Sequence, residues 1–290
     1  MIRFWRYCWS GWLVLWMGLG RAAEEPRSSP LLLQYSAPPG TQATYTITVF
    51  GTLRREWAKR QEDLGIKATL HYLEKVTRGD AINVELECQI CGLGQAGNGG
   101  NATSSALNLK WPVKMKRSGR DVQIPVLEKY EFPQIPELAV LILFNETTRL
   151  LAFAERPVEE GESWTSRLEL RTRNATIPVE VSSRFLGCRT YRGFSCAEIE
   201  SRLKGDLDLA HVDLEGVSVA MKGEQEGALT LLFAPEQGQV VRSEGRLEIE
   251  LRPEPPAKQE ADLGKQSPDI PQTIRLEFQF VRELQKIEVP

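Results

Sequence analysis

Gly161-Glu-Ser-Trp164, the alternating Leu168 and Leu170, a turn at Arg192-Gly193 and a turn at Glu236-Gln237-Gly238 set the rhythm of the stretch from Gly161 to Leu251. The same order of landmarks stands in the first half of the chain: Gly40 before Tyr45, a turn at Arg78-Gly79 and a turn at Ser118-Gly119. Tyr45 and Trp164 lie 119 residues apart, Gly79 and Gly193 lie 114 apart, and Gly119 and Gly238 lie 119 apart. A near-constant offset is what two copies of one β unit produce. The copies share turns and strand anchors but no polar constellation, so the repetition concerns architecture and not chemistry.

Working outward, the dominant period is two. Tyr45, Ile47 and Val49 alternate with Thr44, Thr46 and Thr48; Ile66, Ala68, Leu70 and Tyr72 continue the pattern, as do Ile82, Val84 and Leu86. Leu107 to Met115 follows, then Leu247 to Leu251 and Ile274 to Phe280. Such alternation puts every large apolar group on one face of a strand. One dry and one wet face is the signature of antiparallel sheets. The expected fold is mainly β, with long antiparallel strands in two similar repeated units forming curved sheets.

Four segments interrupt this rhythm. Residues 54–65 are charged, with Arg54, Arg55, Lys59 and Arg60 around Trp57, and read as a long solvated connection. The glycine-rich run Gly92–Gly100 reads as a flexible loop, and it lacks the Lys-Ser/Thr ending of a phosphate cradle. Residues 253–272 have the composition of a disordered excursion, after which Thr273–Val289 returns as a strand. At the midpoint, Pro136 to Phe153 holds an apolar run, Leu138 to Phe144, behind a Pro-Glu start suited to a first helical turn. Leu138, Leu141, Ile142 and Phe144 are expected to be buried, as a core plug and connector or as a lid over an apolar cavity. A helix and a buried strand both fit so short a run.

The N-terminus reads as an export signal, residues 1–22. Arg3 and Arg6 precede an apolar stretch from Trp9 to Gly20, and Gly20-Arg21-Ala22 offers small residues for cleavage. Twelve apolar residues fall short of the about 20 that a spanning helix needs. No transmembrane segment is then expected after its removal. Its loss would take the formal net charge from −3 to −6, which disfavours nucleic acid and anionic membrane surfaces as partners. The remaining chain divides into a first β unit (23–135), the apolar connector (136–153) and a second β unit (154–290).

Chemistry-bearing residues are few. Cys88 and Cys91 form a C-x2-C pair at a strand end, and Cys188 and Cys196 flank the Arg192-Gly193 turn. An exported compartment favours disulfides, and a three-residue hairpin loop would set Cys188 opposite Cys196, close enough to bridge. The C-x7-C spacing does not suit a four-thiolate zinc knuckle. His71 sits on the outer face of its strand pattern, and no serine lies in a Gly-x-Ser-x-Gly elbow. Asp206, Asp208, His211 and Asp213 lack the glycine and terminal glutamate of a calcium loop. Neither a metal, a cofactor nor a catalytic residue is expected.

The segments Pro157-Val-Glu-Glu-Gly161-Glu-Ser-Trp164, Tyr191-Arg-Gly193-Phe-Ser-Cys196-Ala-Glu-Ile199 and Gly238-Gln-Val240-Val-Arg-Ser243 resemble a group of secreted or periplasmic bacterial β-rich proteins classed as a domain of unknown function. That resemblance spans most of residues 40–290 and implies no catalytic residue. More distantly, long antiparallel strands crossed by one apolar element resemble the curved half-barrels of the LolA and LppX lipid carriers. The expected role is non-enzymatic binding or scaffolding at the cell envelope, through an unknown protein or envelope component. The alternative is a carrier or sensor of an apolar, lipid-like small molecule held between the sheet and residues 136–153.

Overall fold

The computed structural model describes residues 29–96, 102–123, 152–171, 176–214, 217–254 and 270–290. Eleven strands run in chain order: β1 Gln42–Glu56, β2 Gln61–Gly79, β3 Asn83–Ala96, β4 Ala102–Lys116, β5 Val122–Gln123, β6 Ser163–Arg171, β7 Thr176–Tyr191, β8 Phe194–Leu214, β9 Val217–Ala234, β10 Gln239–Pro253 and β11 Thr273–Glu288. Each pairs with its neighbours in sequence, and β11 returns to pair with β1 along its length, from Gln42↔Glu288 to Glu56↔Thr273. The sheet is thereby a closed barrel. All pairings are antiparallel except the two-residue contact of β5 with β6, Val122↔Leu170 and Gln123↔Arg171. Strands of both expected units share this one barrel, and among the described residues there is no helix.

The alternation written in the sequence becomes the inside and outside of the barrel. Tyr45, Ile47, Val49, Leu70 and Tyr72 are buried inside, as are Leu247, Ile249, Leu276, Phe278 and Phe280. The outer face of β8 presents Glu200, Arg202, Lys204, Asp206 and Asp208 to solvent. Cross-strand ion pairs lace the outside, among them Lys114 to Glu85 at 3.5 Å and Arg275 to Glu250 at 2.9 Å. No helix among the described residues is long and apolar enough to cross a membrane. The outer wall itself does not suit lipid either, since each Lys or Arg facing the bilayer midplane costs about 2–4 kcal/mol.

Inward glycines allow the wall to bend. A Cβ on Gly223 would lie 1.8 Å from the Glu250 carbonyl oxygen, and one on Gly245 would lie 2.2 Å from that of Ala228. At these points neighbouring strands approach too closely for any side chain, as happens where a sheet coils sharply.

One end of the barrel is plugged. The segment before β1 bridges to the segment before β6 through Leu31 and Val158. Tyr35 N–H donates to the Arg117 carbonyl at 2.8 Å, and Phe153 N–H to that of Ser118 at 2.8 Å. The Trp164 indole N–H donates to the Ala152 carbonyl at 2.9 Å. Tyr35, Phe153 and Phe233 meet beneath these contacts, with ring centroids 4.7–5.6 Å apart.

Several sequence expectations are corrected here. Residues 54–65 are not a long connection but the β1–β2 hairpin. Opposite charges that looked like a solvated run fall across from each other, Arg54 on Asp63 and Arg55 on Glu62, and such cross-strand pairs favour a ladder. Arg60 stacks over Trp57 at 4.0 Å in the turn. Gly92 and Gly94 belong to β3 and pair with Ala106 and Ser104 of β4; only 97–100 of that run lie outside the described residues. The β2–β3 turn falls just after Gly79, where Asp80 Oδ1 accepts from the Ile82 and Asn83 backbone N–H groups. Those bonds hold the Asp80 carboxyl below its usual range.

Of the paired landmarks, Tyr45 and Trp164 are both buried near strand starts, and Gly119 and Gly238 both take positive φ in turns. Gly193 also has positive φ, 85°, whereas Gly79 ends a strand. The apolar residues Leu138, Leu141, Ile142 and Phe144, the cleavage region and most of 253–272 lie outside the described residues. The strand expected at Thr273–Val289 is β11, and it closes the barrel.

Gly223→Ala should lower stability by about 1–3 kcal/mol, the usual cost of forcing extra volume into a packed position, with the β spectrum of the folded protein retained. Urea unfolding followed by circular dichroism measures this, and an unchanged midpoint would contradict the close approach of β9 to β10.

Candidate functional site

An eleven-stranded ring is wider than the eight-stranded one whose side chains suffice to fill it, so the interior is the natural place for a site. It is apolar with a small number of polar groups. The largest polar element is an ion pair near the plugged end. Arg282 of β11 donates from Nη2 to Glu74 Oε1 of β2 at 2.6 Å, with side-chain exposures of 2% and 4%. The guanidinium lies 4.0 Å over the Tyr45 ring and 5.0 Å from that of Tyr72. Tyr45 OH in turn donates to Gln239 Oε1 at 3.1 Å. A cavity of about 10 Å³ adjoins Glu74 and Gln239, which is room for a single water at most.

Burial of this pair follows from alternation alone. Glu74 and Arg282 occupy inward positions of their strands, and neither can turn outward without reversing the whole register. Cation–π contact on a desolvated guanidinium is worth about 2 kcal/mol, which helps offset the cost of removing both charges from water.

Other inward polar atoms have no hydrogen-bond partner among the described residues: Thr41 Oγ1, Trp111 Nε1, Gln225 Nε2 and Ser243 Oγ. Trp111 faces in from β4, Gln225 from β9 and Ser243 from β10, where Ser243 pairs with Arg282 of β11. All three can donate a hydrogen bond. Ser183 and Ser201 satisfy each other at 2.8 Å.

On the outside, a shallow groove of about 320 Å³ runs over β6, β7 and β8, lined by Ser163, Thr165, Ser182, Arg184, Glu200 and Arg202 among others. His71 is exposed on the outer face of β2, separated by the wall from the inward hydroxyls. Asp206 and Asp208 are exposed on β8.

The cysteines do not form the expected bond. Cys88, Cys91, Cys188 and Cys196 are all thiols, Cys88 and Cys196 buried and Cys91 and Cys188 exposed. The loop at Arg192-Gly193 has two residues, not three, with φ of 49° and 85°, the positive pair that the tightest hairpins require. Tyr191 therefore pairs with Phe194, Arg189 with Cys196 and Cys188 with Ala197. A shift of one residue sends the two sulfurs to opposite faces. Cys91 sits beside a bulge between Ile90 and Gly92, which leaves it exposed while Cys88 points inward. Burial raises the thiol pKa of Cys91, Cys188 and Cys196.

The sequence pointed to cysteines and to the 136–153 segment. The structure draws attention instead to Glu74, Arg282, Trp111, Gln225 and Ser243. A readable signal did exist for some of them: Glu74, Gln225, Ser243 and Arg282 are polar residues in apolar slots of a strict alternation.

The barrel thus defines a class: a closed, almost wholly antiparallel wall, charged outside and mainly apolar inside. No family model matches this chain, and no curated protein matches it. Among solved structures, a protein of Bacteroides fragilis described as exported and YmcC-like in fold aligns with a TM-score of 0.33 and 12% identity, covering 89% of this chain and 100% of that one.

Two predictions follow from the interior and the thiols. Arg282→Met alone should cost about 3–5 kcal/mol by stranding Glu74, whereas Glu74→Leu combined with Arg282→Met should recover most of that loss. Chemical denaturation of the two variants measures the difference, and equal losses would show that the pair is not energetically coupled. In the folded protein, a thiol reagent should modify Cys91 and Cys188 and spare Cys88 and Cys196 until unfolding. The rate should climb with pH, since only the thiolate reacts. Mass mapping of the modified sites would expose a Cys188–Cys196 disulfide if one forms.

Proposed function

We propose that this chain is an exported, non-enzymatic binding protein whose barrel holds an apolar, lipid-like small molecule. The observation that carries the reading is the set of inward donors without partners, Trp111 Nε1, Gln225 Nε2 and Ser243 Oγ, in an otherwise apolar interior. Ligand sites for apolar molecules have this composition: hydrophobic walls and a few placed polar groups that fix orientation. Buried polar groups in native proteins nearly always have a partner, and a bound molecule supplies it here. The charged outer wall keeps such a protein in aqueous surroundings, and the signal-like residues 1–22 support delivery to a secreted or periplasmic location. The two offset-related halves support an origin in two copies of one β unit.

Scaffolding at the envelope is the second reading, and the outer groove over β6–β8 favours it, because a concavity of that size lined by Trp164, Arg184, Glu200 and Arg202 suits a partner's side chains.

The test is direct. Protein purified from its own host should carry an amphiphile in native mass spectrometry. The delipidated protein should take up N-phenyl-1-naphthylamine saturably at one dye per chain. Absence of both a co-purified molecule and saturable dye binding would refute the container and leave the scaffold.

A further inference from the structure

We infer that Gln225 anchors a neutral carbonyl oxygen of the interior ligand, so that the molecule held is an acyl ester or amide and not a bare hydrocarbon or a free acid. This rests on the container reading above. Gln225 lies on the inward face of β9 between the outward Glu224 and Glu226, and is 2% exposed. Its side-chain nitrogen is buried and unpartnered. It packs over Gly205 of β8: a Cβ on that glycine would come 3.4 Å from Nε2 and 2.4 Å from the Pro178 carbonyl oxygen. No side chain at 205 could be accommodated there, so the amide occupies a place that backbone geometry reserves for it.

The described ring neighbours of Gln225 on β10, β11, β1 and β2 are apolar. The register runs from Gln225 to Ile249 of β10, on to Leu276 of β11, to Leu53 of β1 and to Leu64 of β2. Ile249, Leu276 and Leu53 are buried, while Leu64, in an inward position, is 38% exposed. The β2 segment Gln61–Lys67 extends past the described pairing with β3, which begins at Ala68↔Gln95. Leu64 is the exposed member of this described row, and an apolar chain lying over it would meet Leu53 and Leu276 on its way to the amide.

The chemistry of the ligand follows from the side chains described around the amide. An N–H of Gln225 can only donate, so its partner is an acceptor. A carboxylate at this depth would need a cation beside it, and the side chains described in this ring are apolar apart from the neutral amide. The buried guanidinium of Arg282 is occupied by Glu74, several residues along the barrel. An ester or amide carbonyl satisfies the donor without bringing a charge.

The experiment compares methyl dodecanoate with dodecyl methyl ether, which have similar length and shape and differ in the carbonyl. Each is titrated against the dye-loaded protein, wild type and Gln225→Met. Wild type should bind the ester about tenfold more tightly than the ether, the usual discrimination for one buried hydrogen bond. Gln225→Met should remove that preference while its thermal midpoint stays level or rises, since an unpaired donor is gone. If neither compound displaces the dye and the apoprotein takes up none, the container reading itself fails and the anchor with it. If both bind wild type equally, or the preference survives in Gln225→Met, the container stands and the anchor is overturned. A lowered midpoint in Gln225→Met with binding unchanged would also overturn it, because the amide would then serve the fold through a structural water. The ester–ether comparison in wild type decides the matter even if the variant does not fold.

Discussion

The pairing of β11 with β1 is the constraint on which everything else depends. Fifteen cross-strand pairs join the end of the chain to its beginning. Closure removes the two free edges that an open sheet would leave for aggregation. It also turns a local property, which side of a strand is apolar, into a global one, which residues are inside. Once the ring is shut, a polar residue in an inward slot has nowhere else to go.

That is why Arg282 and Glu74 meet. They are 208 residues apart in sequence, on strands flanking β1 from opposite sides, and the tyrosine between them, Tyr45, stacks on the guanidinium. A hydrophobic replacement of both would pack as well or better. The pair constrains register instead, because slipping β2 or β11 by one residue would bury a lone charge. Among the described residues, β5 contributes two residues to the ring and joins β6 in parallel.

The interior and the wall divide the labour that the proposed function requires. Ion pairs and isolated charges keep the outer face in water. The inner face offers apolar area with a few donors at separate levels, Trp111 and Ser243 near the plugged end and Gln225 further along. The plug of Tyr35, Phe153 and Phe233 seals one end, and Leu64 on β2 is the exposed member of the inward row at Gln225.

The sequence by itself determined the β class, the long strands, the return of the chain at Thr273 and three of the turns. Each of these is local: a period of two, a glycine at the turn, a change in composition. What only the tertiary structure decided is set by pairing across distance. Residues 54–65 looked like a loop because their charges were read along the chain, whereas Arg54 and Asp63 neutralise each other across it. Cys188 and Cys196 looked bridgeable because a loop of two residues and a loop of three differ by one step, and that step reverses the face. Gln225 and Arg282 were visible as polar letters in apolar slots. Their partners, or lack of them, depended on which strands closure brought alongside, and no local pattern carries that information.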